Sequence, residues 1–284
     1  VFFASIRYNG SMEKKGNGPV VIPCGSDENS SFMKGAARGP EKIREALFSR
    51  SMNWFTEGGR HLDFSTGIPW GKDPGATGRG DAWRRIRTEV GKWRRRGYRP
   101  VVLGGDHAVT HPVLQALVGK GPPLDILHFD AHPDLYHDFE NNPRSHGSPF
   151  ARIMEEGLCR RLVQVGIRAA DVHQREQAEK FLVETIEMRN LTPDLRLSFD
   201  GLLYISVDLD VLEPGLAPGV SHFEPGGMTV REVIGIIQRV ETAGIAGADI
   251  VEYNPARDVR QLTAYVAAKL LKEILDRMIQ VNGD

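Results

Sequence analysis

The stretch "LDILHFDAHPD", residues 124–134, decides the fold. Its first half is an apolar run that reads as a buried strand, and its second half sets Asp130, His132 and Asp134 at every second position. A strand that stays apolar instead of alternating is covered on both faces, as in a parallel sheet between helices. If the strand persists through Asp134, the three polar side chains share one face at a spacing of about 6–7 Å. Three groups of metal-ligating type at the end of a core strand need a reason, and the rest of the chain supplies it.

Outward from this stretch, apolar runs alternate with stretches of helical period. Strands are predicted at 19–25, 99–105, 124–132, 162–168, 202–211 and 244–254, and helices at 39–50, 81–97, 111–120, 148–157, 174–182, 229–241 and 261–279. Pro40 suits a first helical turn and Gly97 a helix stop. The alternation predicts an α/β fold of three layers, α-β-α, with a mainly parallel central sheet. No linker, repeat or low-complexity break interrupts it, so residues 1–284 read as one domain. Gly/Pro-rich segments at 69–80 and 212–227 read as loops. In such sheets loops gather beyond the carboxyl ends of the strands, where ligands bind.

The same strand ends carry acids and histidines. "VVLGGDH" ends in Asp106 and His107, "LYISVDLD" in Asp208 and Asp210, and "DIVEYN" in Glu252 and Asn254. Taken alone, each has an ordinary explanation as a turn or a helix cap. Together at one level of a sheet, four carboxylates and two imidazoles repel one another and lose solvation unless cations balance them. The candidate ligands are His107, Asp130, His132, Asp134, Asp208 and Asp210. That set exceeds what one structural zinc uses and contains no cysteine. Two divalent ions about 3.5–4 Å apart fit it; such a pair lowers the pKa of bound water and implies hydrolysis. His128, inside the apolar strand, reads as a packed core residue.

Composition excludes several other functions. The chain has 36 Lys plus Arg against 37 Asp plus Glu, a net charge of -1. No basic excess marks it for nucleic acid or an anionic membrane, and the arginines between 84 and 96 read as a solvated helix face. Cys24 and Cys159 form neither a disulfide framework nor a C-x-x-C pair, so buried thiols in a reducing compartment are expected. No apolar stretch approaches the ~20 residues that span a bilayer, and "VFFASIRYNG" at the start is too short for a signal sequence. The expectation is a soluble cytoplasmic protein, or an organellar one if a leader has been removed.

In order along the chain, "GGDH" (104–107), "DAHPD" (130–134), "HGSPF" (146–150), "SVDLD" (206–210) and "EYNP" (252–255) resemble the signature of the ureohydrolases, the arginase and agmatinase family of binuclear manganese enzymes. The resemblance spans residues 19–280, and "FARIMEEG", "VQVGIR" and "APGVSHFEPGG" are similar to plant-type arginases and their bacterial relatives. It implies an arginase-like fold with one manganese on His107, Asp130, Asp134 and Asp208. A second manganese would sit on Asp130, His132, Asp208 and Asp210, with Asp130 and Asp208 bridging. Nickel, cobalt and zinc suit the same donors. The resemblance further implies that Glu252 grips a guanidinium and His146 transfers a proton, so the candidate catalytic residues are His146, Glu252, Asp134 and Asp210. It also implies a homo-oligomer, trimer or hexamer. One position departs: the family usually has Asp before the Pro that follows Ser-x-Asp-x-Asp, whereas this chain has Glu213 before Pro214.

The chemistry of these residue types agrees. A guanidinium, with a pKa above ~12, arrives as a planar cation whose paired N–H groups suit a carboxylate such as Glu252. Its nitrogen leaves well only when protonated, a task for an acid working near neutral pH such as His146, beside Gly147. The expected substrate is a small guanidino compound, cleaved to urea and an amine. L-Arginine to L-ornithine leads; agmatine, which "HGSPF" favours, and guanidinobutyrate follow. An α-carboxylate on the substrate needs a donor, for which Arg168 and Asn141 are candidates, with selectivity on loops near 134–146 and 168–175. An inactive regulatory relative would lack ligands, and all six positions are filled. A metal-dependent deacetylase would use a single zinc and leave the pair at 208 and 210 unexplained.

Overall fold

The computed structural model describes residues 16–75 and 81–283, so the opening segment and part of the 69–80 loop lie outside the described residues. Seven strands form one sheet: β1 (Pro19–Cys24), β2 (Arg99–Gly104), β3 (Leu124–Phe129), β4 (Cys159–Ile167), β5 (Glu184–Glu187), β6 (Ser198–Asp208) and β7 (Glu241–Val251). Their order is β1-β2-β7-β6-β3-β4-β5, and every pairing is parallel. The helices are α1 (Gly39–Leu47), α2 (Ala82–Arg95), α3 (Thr110–Val118), α4 (Pro149–Glu155), α5 (Val172–Lys180), α6 (Val230–Arg239) and α7 (Leu262–Asn282).

Strand side chains point alternately to two apolar clusters, which is why the strands read as continuous apolar runs. Val21, Val101, Leu103, Leu127 and Phe129 join the cluster built with α1, α6 and α7. Val20, Ile22, Val102 and Ile126 face the opposite cluster, built with α2, α3 and α4. Each such side chain, fully buried, contributes about 1.5–3 kcal/mol. On α2, Ile86, Val90 and Trp93 recur at helical spacing and are buried, while Arg84, Arg87, Arg94 and Arg95 are exposed as expected of a solvated face; Arg85 and Arg96 are half-buried instead, the first donating to the Pro74 carbonyl and the second lying over the Trp93 ring. Asp81 caps this helix by accepting the Trp83 N–H, and Gly97 follows it at a φ of 89° that a side chain would resist. Thr229 and Glu232 form a reciprocal capping box at α6.

The sheet departs from the sequence reading at β3, at β5 and in its strand directions; elsewhere the element ends shift by a few residues. β3 stops at Phe129 instead of running on to residue 132, so Asp130, His132 and Asp134 are not on a strand at all. β5 was not anticipated; it is a four-residue edge strand, Glu-Thr-Ile-Glu, exposed or half-buried, and has no apolar run to announce it. The described sheet is parallel throughout, not merely for the most part. Among the described residues no helix is long and apolar enough to cross a membrane.

The strand order positions the chemistry. In a parallel sheet all carboxyl ends lie along one edge, and β2, β7, β6 and β3 are consecutive neighbours at its centre. Their last residues and the segments that follow carry His107, Glu252, Asp208 with Asp210, and the "DAHPD" turn.

Candidate metal centre and active site

The turn after β3 achieves what a longer strand would not. Asp130 Oδ1 accepts the His132 backbone N–H at 2.6 Å, and Asp210 Oδ1 accepts the Ala131 N–H at 3.0 Å, which ties the turn to the segment after β6. Asp134 then adopts a φ of 52°, a left-handed conformation uncommon for a residue with a side chain. That reversal brings its carboxylate back beside the others. Asp208 Oδ1 accepts the Asp210 N–H at 2.8 Å across a short 3₁₀ turn, so both acids leave β6 on the same side.

All six sequence-predicted ligands meet here, in two groups. His107, Asp130, Asp134 and Asp208 each offer an atom within 4.8 Å of the others, and so do Asp130, His132 and Asp210. His107 Nδ1 stands 3.2 Å from Asp130 Oδ2, 3.1 Å from Asp134 Oδ2 and 3.2 Å from Asp208 Oδ2. His132 Nδ1 stands 2.9 Å from Asp210 Oδ2 and 3.5 Å from Asp130 Oδ1. Asp130 therefore serves both groups through different oxygens. Asp208 belongs only to the first, its other oxygen being held by the Asp210 N–H.

These residues fit divalent cations. His107 Nδ1 is buried and finds no hydrogen-bond partner although three carboxylate oxygens surround it, the arrangement of a lone pair and anions aimed at a common point. Burial, then repulsion from Asp210 and Asp130, drives the Asp208 carboxyl well above the ordinary carboxylate range. Burial and the Asp130 charge push Asp134 and Asp210 upward as well. Positive charge at the centre removes both costs.

Beside the ligands, Glu252 takes a φ of 64° and sends its carboxylate inward, where Oε1 accepts the His107 backbone N–H at 2.8 Å. The same oxygen lies 2.9 Å from His146 Nδ1, and His146 Nε2 lies 2.8 Å from Ser31 Oγ. Burial alone would lower the His146 pKa, but Glu252, with Asp134 and Asp106, outweighs it and lifts it to about 9. A cavity of about 200 Å³ opens over this arrangement, lined by His132, Asp134, Asp208, Asp210, His146 and Glu252 and also by Tyr136, Phe139, His222 and Glu224.

A family model described as the arginase family matches residues 18–276. The mitochondrial arginase of Medicago truncatula is 45% identical over 284 residues, which is 90% of this chain and 80% of that protein. Arginase 1, mitochondrial, of Arabidopsis thaliana is 45% identical over 89% of this chain and 78% of its own length. The solved arginase from Medicago truncatula superposes with a TM-score of 0.86 at 44% identity, covering 92% of this chain and 87% of that one. The chain belongs to the arginase family.

Within this arginase-family site several supporting residues were not readable beforehand. His128 is buried and stacked on Phe150 at 4.0 Å, as a core residue would be, but it does more than pack. The Gln164 amide donates to His128 Nδ1 at 3.0 Å, so the ring proton is on Nε2 and is donated to Asp130 Oδ2 at 2.8 Å. His128 thus orients the shared ligand. Gln164 sits in the middle of an apolar strand, and a polar residue there was the one available signal.

Two expectations about the substrate's far end fail. Arg168 does not face the cavity; its guanidinium donates to the backbone carbonyls of Glu224, Gly166, Val211 and Asp210, and so staples the 212–227 loop to the sheet. Asn141 is exposed at a φ of 62° and does not line the cavity. The unusual Glu213 has a defined role: Oε2 accepts the N–H groups of Gly226 at 2.7 Å and Gly227 at 2.9 Å, closing the same loop on itself. Of the two loops expected to set selectivity, 134–146 contributes Tyr136 and Phe139 to the cavity wall and 168–175 contributes Ala169 and Gln174.

Proposed function

We propose that this protein is a binuclear manganese hydrolase that converts L-arginine to L-ornithine and urea. The observation that carries the reading is the placing of two ligand groups sharing Asp130 beneath a cavity whose wall holds the Glu252 and His146 pair and, among its described lining, no Lys or Arg. Such a cavity suits a planar cation. One ion would be held by His107, Asp130, Asp134 and Asp208 and the other by His132, Asp210 and Asp130, with Asp208 as a further contact in the family pattern. When bound, the ions supply a water acidic enough to yield a nucleophile near neutral pH.

The remaining steps fall to the chain's own residues. Glu252, kept ionised by His146 and by the His107 N–H, accepts the guanidinium N–H groups and fixes the plane of the group under attack. His146, held protonated between Glu252 and Ser31, keeps a proton beside the nitrogen that must leave as an amine. Asp134 and Asp210 face the cavity from opposite ligand groups and hold the reacting centre between them.

A second reading, cleavage of agmatine, is favoured by one observation: with Arg168 committed to carbonyls, the described cavity wall offers no Lys or Arg to an α-carboxylate. Urea release from arginine, agmatine and guanidinobutyrate after manganese loading separates the readings. Turnover of arginine above the others supports the first, and no turnover of any of them refutes both. We further read residues 1–284 as one ureohydrolase domain that assembles as a trimer or hexamer, which light scattering on the purified protein tests. An organellar location is supported by the mitochondrial relatives.

A further inference from the structure

Behind His107 lies a second set of polar side chains that the proposed reaction does not use. Asp249 on β7 is fully buried, and three hydroxyls donate to it: Ser206 to Oδ1 at 2.6 Å, and Tyr204 and Thr110 to Oδ2, each at 2.7 Å. Ser206 and Asp249 are register partners across the parallel pair of β6 and β7, which puts their side chains on the same face of the sheet.

The direction of these bonds determines the state of His107. An ionised carboxylate only accepts, so Ser206 gives its single hydroxyl proton to Asp249 and its oxygen is left to accept. The group that meets that oxygen is His107 Nε2, at 2.9 Å. Nε2 therefore carries the ring proton. In the neutral imidazole that a metal ion requires there is one N–H, so with Nε2 protonated Nδ1 is the lone pair. It is this atom that faces Asp130, Asp134 and Asp208 without a hydrogen bond.

We infer that Asp249, acting through Ser206, is a positioning residue that locks His107 in the only tautomer able to hold a metal ion. The inference rests on the metal-centre reading above. Without the carboxylate, the Ser206 hydroxyl rotates and donates to Nε2, the ring proton moves to Nδ1, and the lone pair is lost. Asp249→Asn favours this inversion, because its amide oxygen suits the Tyr204 and Thr110 hydroxyls and its N–H then donates to the Ser206 oxygen; an amide in place of the carboxylate behind a histidine produces the wrong tautomer. Ser206→Ala removes the acceptor of the Nε2 proton but imposes no inverted state. Thr110→Val removes one donor from the far oxygen and leaves the relay intact.

The test is a manganese titration of metal-free protein, read as the electron paramagnetic resonance signal of free Mn²⁺, with circular dichroism to verify folding. Wild type is expected to take two equivalents. Asp249→Asn should weaken one of them about 10–100-fold, Ser206→Ala should weaken the same one by less, and Thr110→Val should match wild type. Wild-type affinity for both ions in Asp249→Asn overturns the relay, and so does a Thr110→Val variant as impaired as Asp249→Asn. If Asp249→Asn does not fold, Ser206→Ala decides: unchanged affinity overturns the inference. A wild type that takes up no manganese overturns the metal centre itself, a different failure from that of the relay.

Discussion

His146 Nδ1 and the backbone N–H of His107 converge on one oxygen, Glu252 Oε1, at 2.9 and 2.8 Å. In the proposed reaction a single carboxylate atom thus links His146, the proton donor, to His107 of the candidate metal centre. Under the proposed function a substrate guanidinium would share or take over that oxygen, which would couple binding and proton transfer through Glu252.

Glu252→Gln should therefore affect both. Loss of a charge-assisted bond to the guanidinium is worth about 1.5–3 kcal/mol, and kcat/KM for arginine is expected to fall roughly tenfold to a hundredfold. In the proposed reaction His146 gives its proton only below its own pKa, which its acidic neighbours raise, so wild-type activity should decline on the alkaline side. In the variant the anion that raises this pKa is gone, and the alkaline limb of the kcat profile should move toward lower pH. In metal-free protein the raised pKa also predicts a stability term that is complete below the ordinary histidine value and lost as pH climbs to about 9, measurable by urea denaturation across that window.

Asp130→Ala should abolish binding of both ions, because that carboxylate belongs to both ligand groups, whereas Asp210→Asn should spare one. Metal content after gel filtration distinguishes the two variants. Metal at a hundredfold excess over its dissociation constant stabilises the native state by about 2.7 kcal/mol, so chelation should lower the melting temperature by several degrees and readdition should restore it.

Arg168→Ala should destabilise the protein without changing its substrate preference. It strips donors from the carbonyls of Glu224, Val211, Asp210 and Gly166, a loss of about 2–4 kcal/mol. If Arg168 instead read an α-carboxylate, the ratio of arginine to agmatine turnover would collapse. Denaturation and the turnover ratio together separate these outcomes.

Glu213→Ala should release Gly226 and Gly227, seen as faster amide hydrogen exchange at those two positions, while the metal content stays at the wild-type value. Loss of metal in this variant would show that the closure of the loop also supports the ligands.

Cys24 and Cys159 should be silent to a thiol reagent in the native protein and react only on denaturation. Both are buried; burial, reinforced by Asp73, pushes the Cys24 thiol well above its ordinary range, and burial with Asp125 pushes Cys159 to about 12.

The layered α/β architecture was legible because burial on both faces forces parallel strands to be apolar throughout, and "PVVIPC", "RPVVLG" and "LDILHF" carry that imprint residue by residue. Edge strand β5 left no imprint because it buries little. The six candidate ligands stood out for the same reason: charge at the end of a core strand contrasts with its apolar run.

Sequence by itself determined which segments enter the core and which acids and histidines end them, since those follow from local solvation. Only the tertiary structure decided that β2, β7, β6 and β3 lie side by side, that the turn at Asp134 reverses to complete the first group, and that Arg168 binds carbonyls rather than facing the cavity. It alone joined Gln164 to His128, and Asp249 through Ser206 to His107, because hydrogen bonds between residues some 36 and 99 positions apart depend on strand register, and strand register is a property of the whole sheet.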